Sequence, residues 1–192
     1  GYIKPIGQRF IHLNEMMIDE DSYLFDRTFS TDTPLDAMSP IAIDSHFTRR
    51  YLDDPANTRP VLVDTICRAF DRTAYHKDSV IIEGSGHAGV GAVCGLSNAQ
   101  VAGLLNTKVI IVSRGGIGQP VDEIALNKAL FDRYGIEVLG AILNKIEPDK
   151  LEIVRKYTGT ALKSLGVPLL GLIPKTQALA YPNLAQVVDV VK

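Results

Sequence analysis

The chain has 192 residues, of which 46% are hydrophobic and 22% charged, and its net charge is −2. These values are ordinary for a globular protein, and the scattered basic residues form no footprint for nucleic acid or an anionic membrane. Cys67 and Cys94 form no CxxC pair, and the sequence shows no signal peptide and no apolar span of about 18 residues. We therefore expect a cytoplasmic protein without nucleic-acid or membrane partners.

The first sixty residues give a weak structural pattern. Residues 2–7 predict a short strand, with Lys4 near its carboxyl edge and Pro5 close to its end. Residues 8–59 are predicted to form an irregular insertion with helical pieces at 19–27 and 44–53. Its acidic run, Asp19 to Asp21, is typical either of an excursion over an active site or of a solvated acidic face.

After residue 60 the pattern alternates regularly between helix and strand. This rhythm predicts an α/β fold, with a doubly wound, mostly parallel sheet flanked by helices, in one domain over residues 1–192. Pro60 is expected in the first turn of its helix, and Ser97 is expected to be an N-cap. The predicted helices are 60–76, one after Ser97, 120–134, 148–166 and 183–192, and the predicted strands are 80–83, 108–112, 136–143 and 167–173.

The stretch from Val80 to Gly91 organises the predicted site. Its apolar start predicts a strand buried on both faces, with Glu83 at the carboxyl end, where open α/β sheets bind ligands. Gly84 and Gly86 follow directly, and glycine lets the backbone approach a ligand closely. The alternative is a strand that ends in a solvated glutamate and a flexible loop.

Polar residues follow several of the predicted strands. Lys4, Glu83, Arg114 and Asn144-Lys145 are expected to converge on one edge of a parallel sheet. A lysine, an acid and glycine-rich loops suit a nucleotide phosphate with Mg²⁺, because the lysine neutralises phosphate oxygens and the acid binds the ion. The sequence therefore predicts a nucleotide and Mg²⁺ site at this edge.

Two features leave the chemistry of this site open. His87 is either a general base or phosphate donor, or an ordinary hydrogen-bonding loop residue. A phosphate loop of the form GxxxxGK[ST] does not occur among the 192 residues. From motifs alone, ATP binding is not demonstrated.

Five segments in order resemble the signatures of the dethiobiotin synthetase-like P-loop family. This family includes dethiobiotin synthetase, the cobyrinic acid a,c-diamide synthases and the amino-terminal domain of long phosphotransacetylases. The resemblance runs from residue 1 to the end and is weakest in residues 8–59. The segments are Tyr2-Ile-Lys-Pro-Ile-Gly7, Val80-Ile-Ile-Glu-Gly-Ser-Gly86, Lys108-Val-Ile-Ile-Val112, Gly140-Ala-Ile-Leu-Asn144 and Leu170-Gly-Leu-Ile-Pro174.

The resemblance implies a role for each matching residue. Lys4 matches the lysine that contacts substrate and the transferred phosphate, and Glu83 matches a Mg²⁺ ligand. Asp21 resembles a second metal-binding aspartate, Asn144 matches the residue that reads the adenine ring, and Pro174 lies where the chain passes the base. His87 stands in place of the usual second glycine after the acid.

Three hypotheses about function follow from this resemblance. The first is an ATP- and Mg²⁺-dependent synthetase that activates a small carboxylate, and the second is a nucleotide-sensing domain without turnover, of the phosphotransacetylase type. The third is a structural remnant without a phosphate loop. The family also implies a strand, phosphate loop and helix of about 30 residues upstream of Gly1, and relatives suggest a homodimer.

Overall fold

A computed structural model describes residues 1–177, which form two compact units. The first comprises residues 1–107 and 130–136, and the second comprises residues 108–129 and those from 137 onward. The strands are β1 (Tyr2–Ile3), β2 (Ile6–Gly7), β3 (Phe10–Leu13), β4 (Met16–Asp19), β5 (Ile41–Ala42), β6 (Ile81–Ile82), β7 (Val109–Arg114), β8 (Val138–Ile146) and β9 (Leu169–Pro174). The α-helices are α1 (Glu20–Phe29), α2 (Leu35–Met38), α3 (Phe47–Asp53), α4 (Pro55–Ala74), α5 (Asn98–Leu104), α6 (Gln119–Arg133) and α7 (Leu151–Ser164).

The first unit pairs short parallel strands. Strand β1 pairs with β6, and β2 pairs with β5, so the predicted strand over residues 2–7 is two strands with separate partners. The break falls at Lys4 and Pro5, and the backbone N–H of Lys4 donates to the carbonyl of Met38. Pro5 has no N–H to donate to either partner strand.

An antiparallel hairpin, β3–β4, lies in the segment that was predicted to be irregular. Its turn residues, Asn14 and Glu15, have φ values of 46° and 70°. Two-residue hairpin turns of this kind need positive φ at both central positions, for which Asn-Gly is the usual sequence. The hairpin was missed because glutamate replaces the expected glycine.

The prediction that residues 8–59 are irregular is therefore wrong. The segment holds the hairpin, the short strand β5 and the helices α1, α2 and α3. The two helical pieces predicted at 19–27 and 44–53 are confirmed as α1 and α3, with shifted ends.

Helix α4 begins five residues earlier than predicted. Asp54 is its N-cap, with the side chain accepting from the N–H of Asn57, and Pro55 occupies the first turn. Pro60 lies within the helix, in the second turn, where it gives up the bond that an N–H would make to the carbonyl four residues earlier. The helix buries Ile66 against Ile41, Leu96 and Val101.

Strand β6 differs from the prediction in burial. The Val80–Glu83 run was expected to be buried on both faces, but Ile81 is 60% exposed and only Ile81 and Ile82 have strand geometry. After this strand, a loop and a short 3-10 helix at Ala92–Cys94 lead to α5. The predicted N-cap is confirmed, because Ser97 and Gln100 form a reciprocal capping box.

The second unit contains a parallel three-stranded sheet in the order β7-β8-β9. The strands predicted at 108–112, 136–143 and 167–173 are confirmed with shifted ends, as is the helix predicted at 120–134. The helix predicted at 148–166 starts with a 3-10 turn, Pro148–Lys150, before α7. The buried side chains of this unit include Ala141, Leu143 and Leu162.

The α/β fold class is confirmed: parallel strands are flanked by helices. A single domain over residues 1–192 stays a prediction, and the helix predicted at 183–192 lies outside the described residues. Within residues 1–177, no helix is both long enough and apolar enough to cross a membrane.

Candidate functional site

Strand pairing brings Lys4 and Glu83 together. Ile3 is the register partner of Ile82, and the N–H of Glu83 donates to the carbonyl of Ile3 at 2.8 Å, so the lysine and the glutamate each follow a paired residue. Their side chains meet with 3.7 Å between Lys4 Nζ and Glu83 Oε1. The strand ends therefore place a cation beside an acid, as the sequence predicted for these two residues.

Two further carboxylates reach the same ammonium from the start of helix α1. Asp19 is the N-cap, and its Oδ1 accepts from the N–H of Asp21 at 3.0 Å and lies 2.9 Å from Lys4 Nζ. Asp21, in the first turn, also accepts a hydrogen bond from Lys4 Nζ. We call these four residues, Lys4, Asp19, Asp21 and Glu83, the Lys4 cluster.

Neighbouring carboxylates hold Lys4 in its ammonium form despite its burial. The side chain is 9% exposed, and burial alone lowers the pKa of Lys4, but hydrogen bonds to Asp21 and Asp19 outweigh that effect. The net result is a raised pKa, so Lys4 stays protonated at neutral pH. Three carboxylates around one ammonium leave an excess of acidic groups, which favours a second cation at the Lys4 cluster.

Tyr2, the first residue of β1, holds the carboxylate of Glu83. The Tyr2 hydroxyl donates to Glu83 Oε2 at 2.6 Å, and its ring, 3% exposed, stacks on Phe25 of α1 with centroids 4.1 Å apart. Burial, followed by the bond to Glu83, raises the pKa of Tyr2, so the hydroxyl remains a donor. Tyr2 thus fixes one oxygen of Glu83, while the other faces Lys4.

The glycine-rich loop after Glu83 is held by Asn98 of α5. The Asn98 amide nitrogen donates to the carbonyls of Ser85 at 2.9 Å and His87 at 2.7 Å. A Cβ at Gly84 would lie 2.9 Å from the Asn98 side chain, and Gly86 has φ of +63°, so both positions favour glycine for structural reasons. Their predicted role in nucleotide binding stays a prediction.

His87 is exposed and engaged within its own loop. Its Nδ1 accepts from the backbone N–H of Gly89 at 3.2 Å, which fixes the orientation of the ring. This contact corresponds to the alternative of an ordinary hydrogen-bonding residue, and the catalytic role of His87 stays a prediction.

Asn144 and Pro174 belong to the second unit, near the carboxyl ends of β8 and β9. Asn144 pairs in register with Arg114, and its Oδ1 accepts from the N–H of Lys145 at 2.7 Å. Pro174 is the exposed last residue of β9 and pairs with Ile146. Their roles at the adenine, and the convergence of both residues with Lys4 and Glu83, stay predictions.

The acids of the Lys4 cluster suit Mg²⁺. Carboxylate oxygens are hard ligands, and Mg²⁺ in proteins is bound by one or two carboxylates together with substrate phosphates. Asp21 and Glu83 are accessible, with side chains 52% and 42% exposed. Within residues 1–177, no group of three His, Cys, Asp or Glu residues is placed to hold a metal ion.

Asp19 is tightly enclosed at the back of the Lys4 cluster. It is 1% exposed, and its Oδ2 is a buried oxygen without a hydrogen-bond partner among the described residues. Its N–H donates to Ser39 Oγ at 2.9 Å, and a Cβ built on Gly7 would lie 2.6 Å from Oδ2. Gly7 is thus the residue that leaves room for this carboxylate.

Gly7→Ala is expected to lower the free energy of unfolding by about 1–3 kcal/mol, as overpacking of a buried site does. The new methyl group would press on Asp19, which cannot move toward solvent. Urea unfolding measures the change. Gly171→Ala is the control, because Gly171 also lies in a strand and a Cβ there meets only Ile142 at 3.9 Å, an ordinary contact. An equally small change at both positions would contradict the prediction.

A family comparison matches the chain over most of its length. The sequence model of one family, described as an AAA domain, matches residues 1–183. The chain belongs to this family. The family is a P-loop family that includes dethiobiotin synthetases, so the resemblance inferred from the sequence is confirmed.

The individual relatives are only distantly similar to this chain in sequence. A phosphate acetyltransferase of Pseudomonas aeruginosa is 30% identical over 150 residues, which cover 76% of this chain and 20% of that protein. An ATP-dependent dethiobiotin synthetase of Anaeromyxobacter dehalogenans strain 2CP-C is 29% identical over 94 residues, 49% of this chain and 42% of that protein. The dethiobiotin synthetase of strain 2CP-1 is 30% identical over 91 residues, which cover 47% of this chain and 40% of that protein. The matched segments thus span less than half of these relatives.

Sequence reasoning missed two members of this site in the AAA domain. Asp19 was seen only as part of an acidic run, although an aspartate directly before an acidic first turn is a helix-start signal that marks an N-cap. Tyr2 begins strand β1 and lies two residues before Lys4, which follows that strand. The strand predicted over residues 2–7 would place both side chains on one face, because side chains alternate along a strand. That pattern indicated a shared face, but nothing in the sequence identified Glu83 as the partner of Tyr2.

Proposed function

We propose that the protein is an ATP- and Mg²⁺-dependent synthetase that activates a small carboxylate by phosphoryl transfer. The observation that carries the proposal is the Lys4 cluster. It joins a protonated lysine and Glu83, at adjacent ends of two parallel strands, with a second accessible acid, Asp21, from the first turn of α1. Membership of a P-loop family with ATP-dependent dethiobiotin synthetases supports nucleotide use.

The acids and the lysine of the Lys4 cluster have different roles in this proposal. Asp21 and Glu83 would hold Mg²⁺, which when bound supplies charge neutralisation for the nucleotide phosphates. The Lys4 ammonium stabilises negative charge that develops on the transferred phosphoryl group, which is an electrostatic effect of fixed position. Tyr2 orients Glu83, and Asp19 orients Lys4.

The chemistry proposed is attack by a substrate carboxylate oxygen on the terminal phosphorus of ATP. The bond from that phosphorus to the ADP oxygen breaks, so the products are ADP and an acyl phosphate. Such transfer is catalysed mainly by positioning and charge stabilisation. The roles of Asn144 and Pro174 at the adenine rest on the family resemblance alone.

The test is turnover by the full-length protein with Mg·ATP and a panel of small carboxylates. Hydroxylamine traps an acyl phosphate as a hydroxamate, so we expect ADP and hydroxamate in equal amounts with one class of carboxylate, and neither product when EDTA removes the metal. Binding of Mg·ATP without ADP or hydroxamate from any carboxylate would contradict the synthetase proposal.

A nucleotide-sensing domain is the second candidate function. The alignment with the phosphate acetyltransferase covers 76% of the chain, whereas those with the dethiobiotin synthetases cover less than half. This candidate predicts saturable Mg·ATP binding without ADP formation over hours. A homodimer, a cytoplasmic location and the absence of nucleic-acid partners remain predictions.

A further inference from the structure

The three carboxylates around Lys4 differ sharply in burial. The Asp19 side chain is 1% exposed, whereas those of Asp21 and Glu83 are 52% and 42% exposed. Asp19 is also locked by its backbone bond to Ser39 and by its role as N-cap of α1. One acid is therefore a fixed partner of the lysine, and the other two can turn toward a ligand in solvent.

We propose that the Lys4 ammonium acts as the cation of the Lys4 cluster when no metal is bound, paired with Asp21 and Glu83. A divalent cation must displace the ammonium from these two carboxylates. Asp19 keeps its ion pair with the displaced ammonium. This inference rests on the proposed function, since it concerns the same metal and nucleotide site. It adds a competition between a side chain of the protein and the metal for the same two carboxylates.

Electrostatics explains why such a competition has a measurable effect. Lys4 Nζ lies within ion-pair distance of all three acids, so a metal that takes Asp21 and Glu83 loses part of its binding energy to breaking those ion pairs. Once released from the two exposed acids, the ammonium still has Asp19 Oδ1 at 2.9 Å. The freed ammonium can then meet a nucleotide phosphate, so metal and phosphate binding are coupled.

Asp19 is a positioning residue in this proposal, because it acts through Lys4. An asparagine at this position keeps the helix cap but removes the fixed negative charge. The ammonium would then depend more strongly on Asp21 and Glu83, and would compete more strongly with a metal. Removing the ammonium and the buried charge together has the opposite effect, because both exposed acids become free.

The experiment measures binding of Mn²⁺ alone, without nucleotide, by electron paramagnetic resonance in the full-length protein. We expect the Lys4→Met/Asp19→Asn double variant to bind Mn²⁺ at least about tenfold more tightly than wild type, equivalent to about 1.4 kcal/mol. Asp19→Asn alone should bind it at least about threefold more weakly. Displacement by excess Mg²⁺ confirms that both ions use one site.

The control is Arg68→Met/Asp64→Asn, which likewise replaces a cation by methionine and an aspartate by asparagine, in an exposed ion pair of α4, and should leave Mn²⁺ affinity unchanged. Unchanged or weaker binding by the folded Lys4→Met/Asp19→Asn variant overturns the inference, and the proposed function survives if wild type still binds Mg·ATP. If the double variant does not fold, the Mn²⁺ affinity of Asp19→Asn is the test. Binding of Mn²⁺ by Asp19→Asn that is as tight as, or tighter than, that of wild type overturns the inference. Absence of Mn²⁺ binding in every variant, with and without ATP, overturns both.

Discussion

Lys4→Ala is expected to lower the free energy of unfolding by about 3–5 kcal/mol, the range for breaking a buried ion pair by removing one partner. The alanine leaves Asp19 buried, with neither carboxylate oxygen near a cation. Water cannot compensate that charge, since the Asp19 side chain is 1% exposed. Urea unfolding followed by circular dichroism measures the loss.

Two further variants separate this explanation from a general effect of truncating a long side chain. Arg68→Ala removes a cation whose side chain is 78% exposed, and should change stability by less than about 0.5 kcal/mol. Lys4→Met/Asp19→Asn removes both buried charges, and should recover much of the loss seen with Lys4→Ala. A double variant no more stable than Lys4→Ala would show that the ion pair is not the cause.

Glu83→Gln is expected to reduce turnover about 10²–10³-fold, the loss typical of removing one electrostatic contact to a transition state. The amide keeps the size of the side chain and can still accept from Tyr2, but it lacks the charge that would hold Mg²⁺. Steady-state ADP release measures the change. The nucleotide affinity measured without metal should stay close to that of wild type.

Glu152→Gln is the matched control for Glu83→Gln, because it makes the same change on a side chain that is 87% exposed. Its turnover should match that of wild type. If Glu83→Gln retains full turnover at limiting Mg²⁺ concentration, Glu83 does not hold the metal. If wild type binds Mg·ATP but shows no turnover, the affinity for Mg·ATP becomes the quantity to compare, as the sensing function requires.

The sequence predicted the part of the site that depends on strand ends. Lys4 and Glu83 each follow a short apolar run, and parallel pairing of such runs brings their ends together. Asp21 was reached only through the family resemblance, but the structure places it on the same ammonium. Local pattern and family signature were sufficient for these three residues.

The rest of the site depends on contacts between segments far apart in the chain. Asp19 is buried because Ser39, Gly7 and Lys4 enclose it, and an acidic run gives no sign of which member will be enclosed. The hairpin was missed at Asn14-Glu15, since its turn uses a residue that rarely adopts positive φ. The start of α4 was misplaced because Pro60 was taken as its first-turn residue, whereas Pro55 occupies that turn directly after the cap at Asp54.

Asn98 couples the motion of the glycine-rich loop, residues 84–91, to helix α5. Its two hydrogen bonds join the carbonyls of Ser85 and His87 to the first residue of α5, a helix whose start is fixed by the Ser97–Gln100 capping box. Opening of the loop alone would break both hydrogen bonds of that amide. Local opening of residues 84–91 and fraying of α5 should form one cooperative unit, with amide-hydrogen exchange rates that rise and fall together.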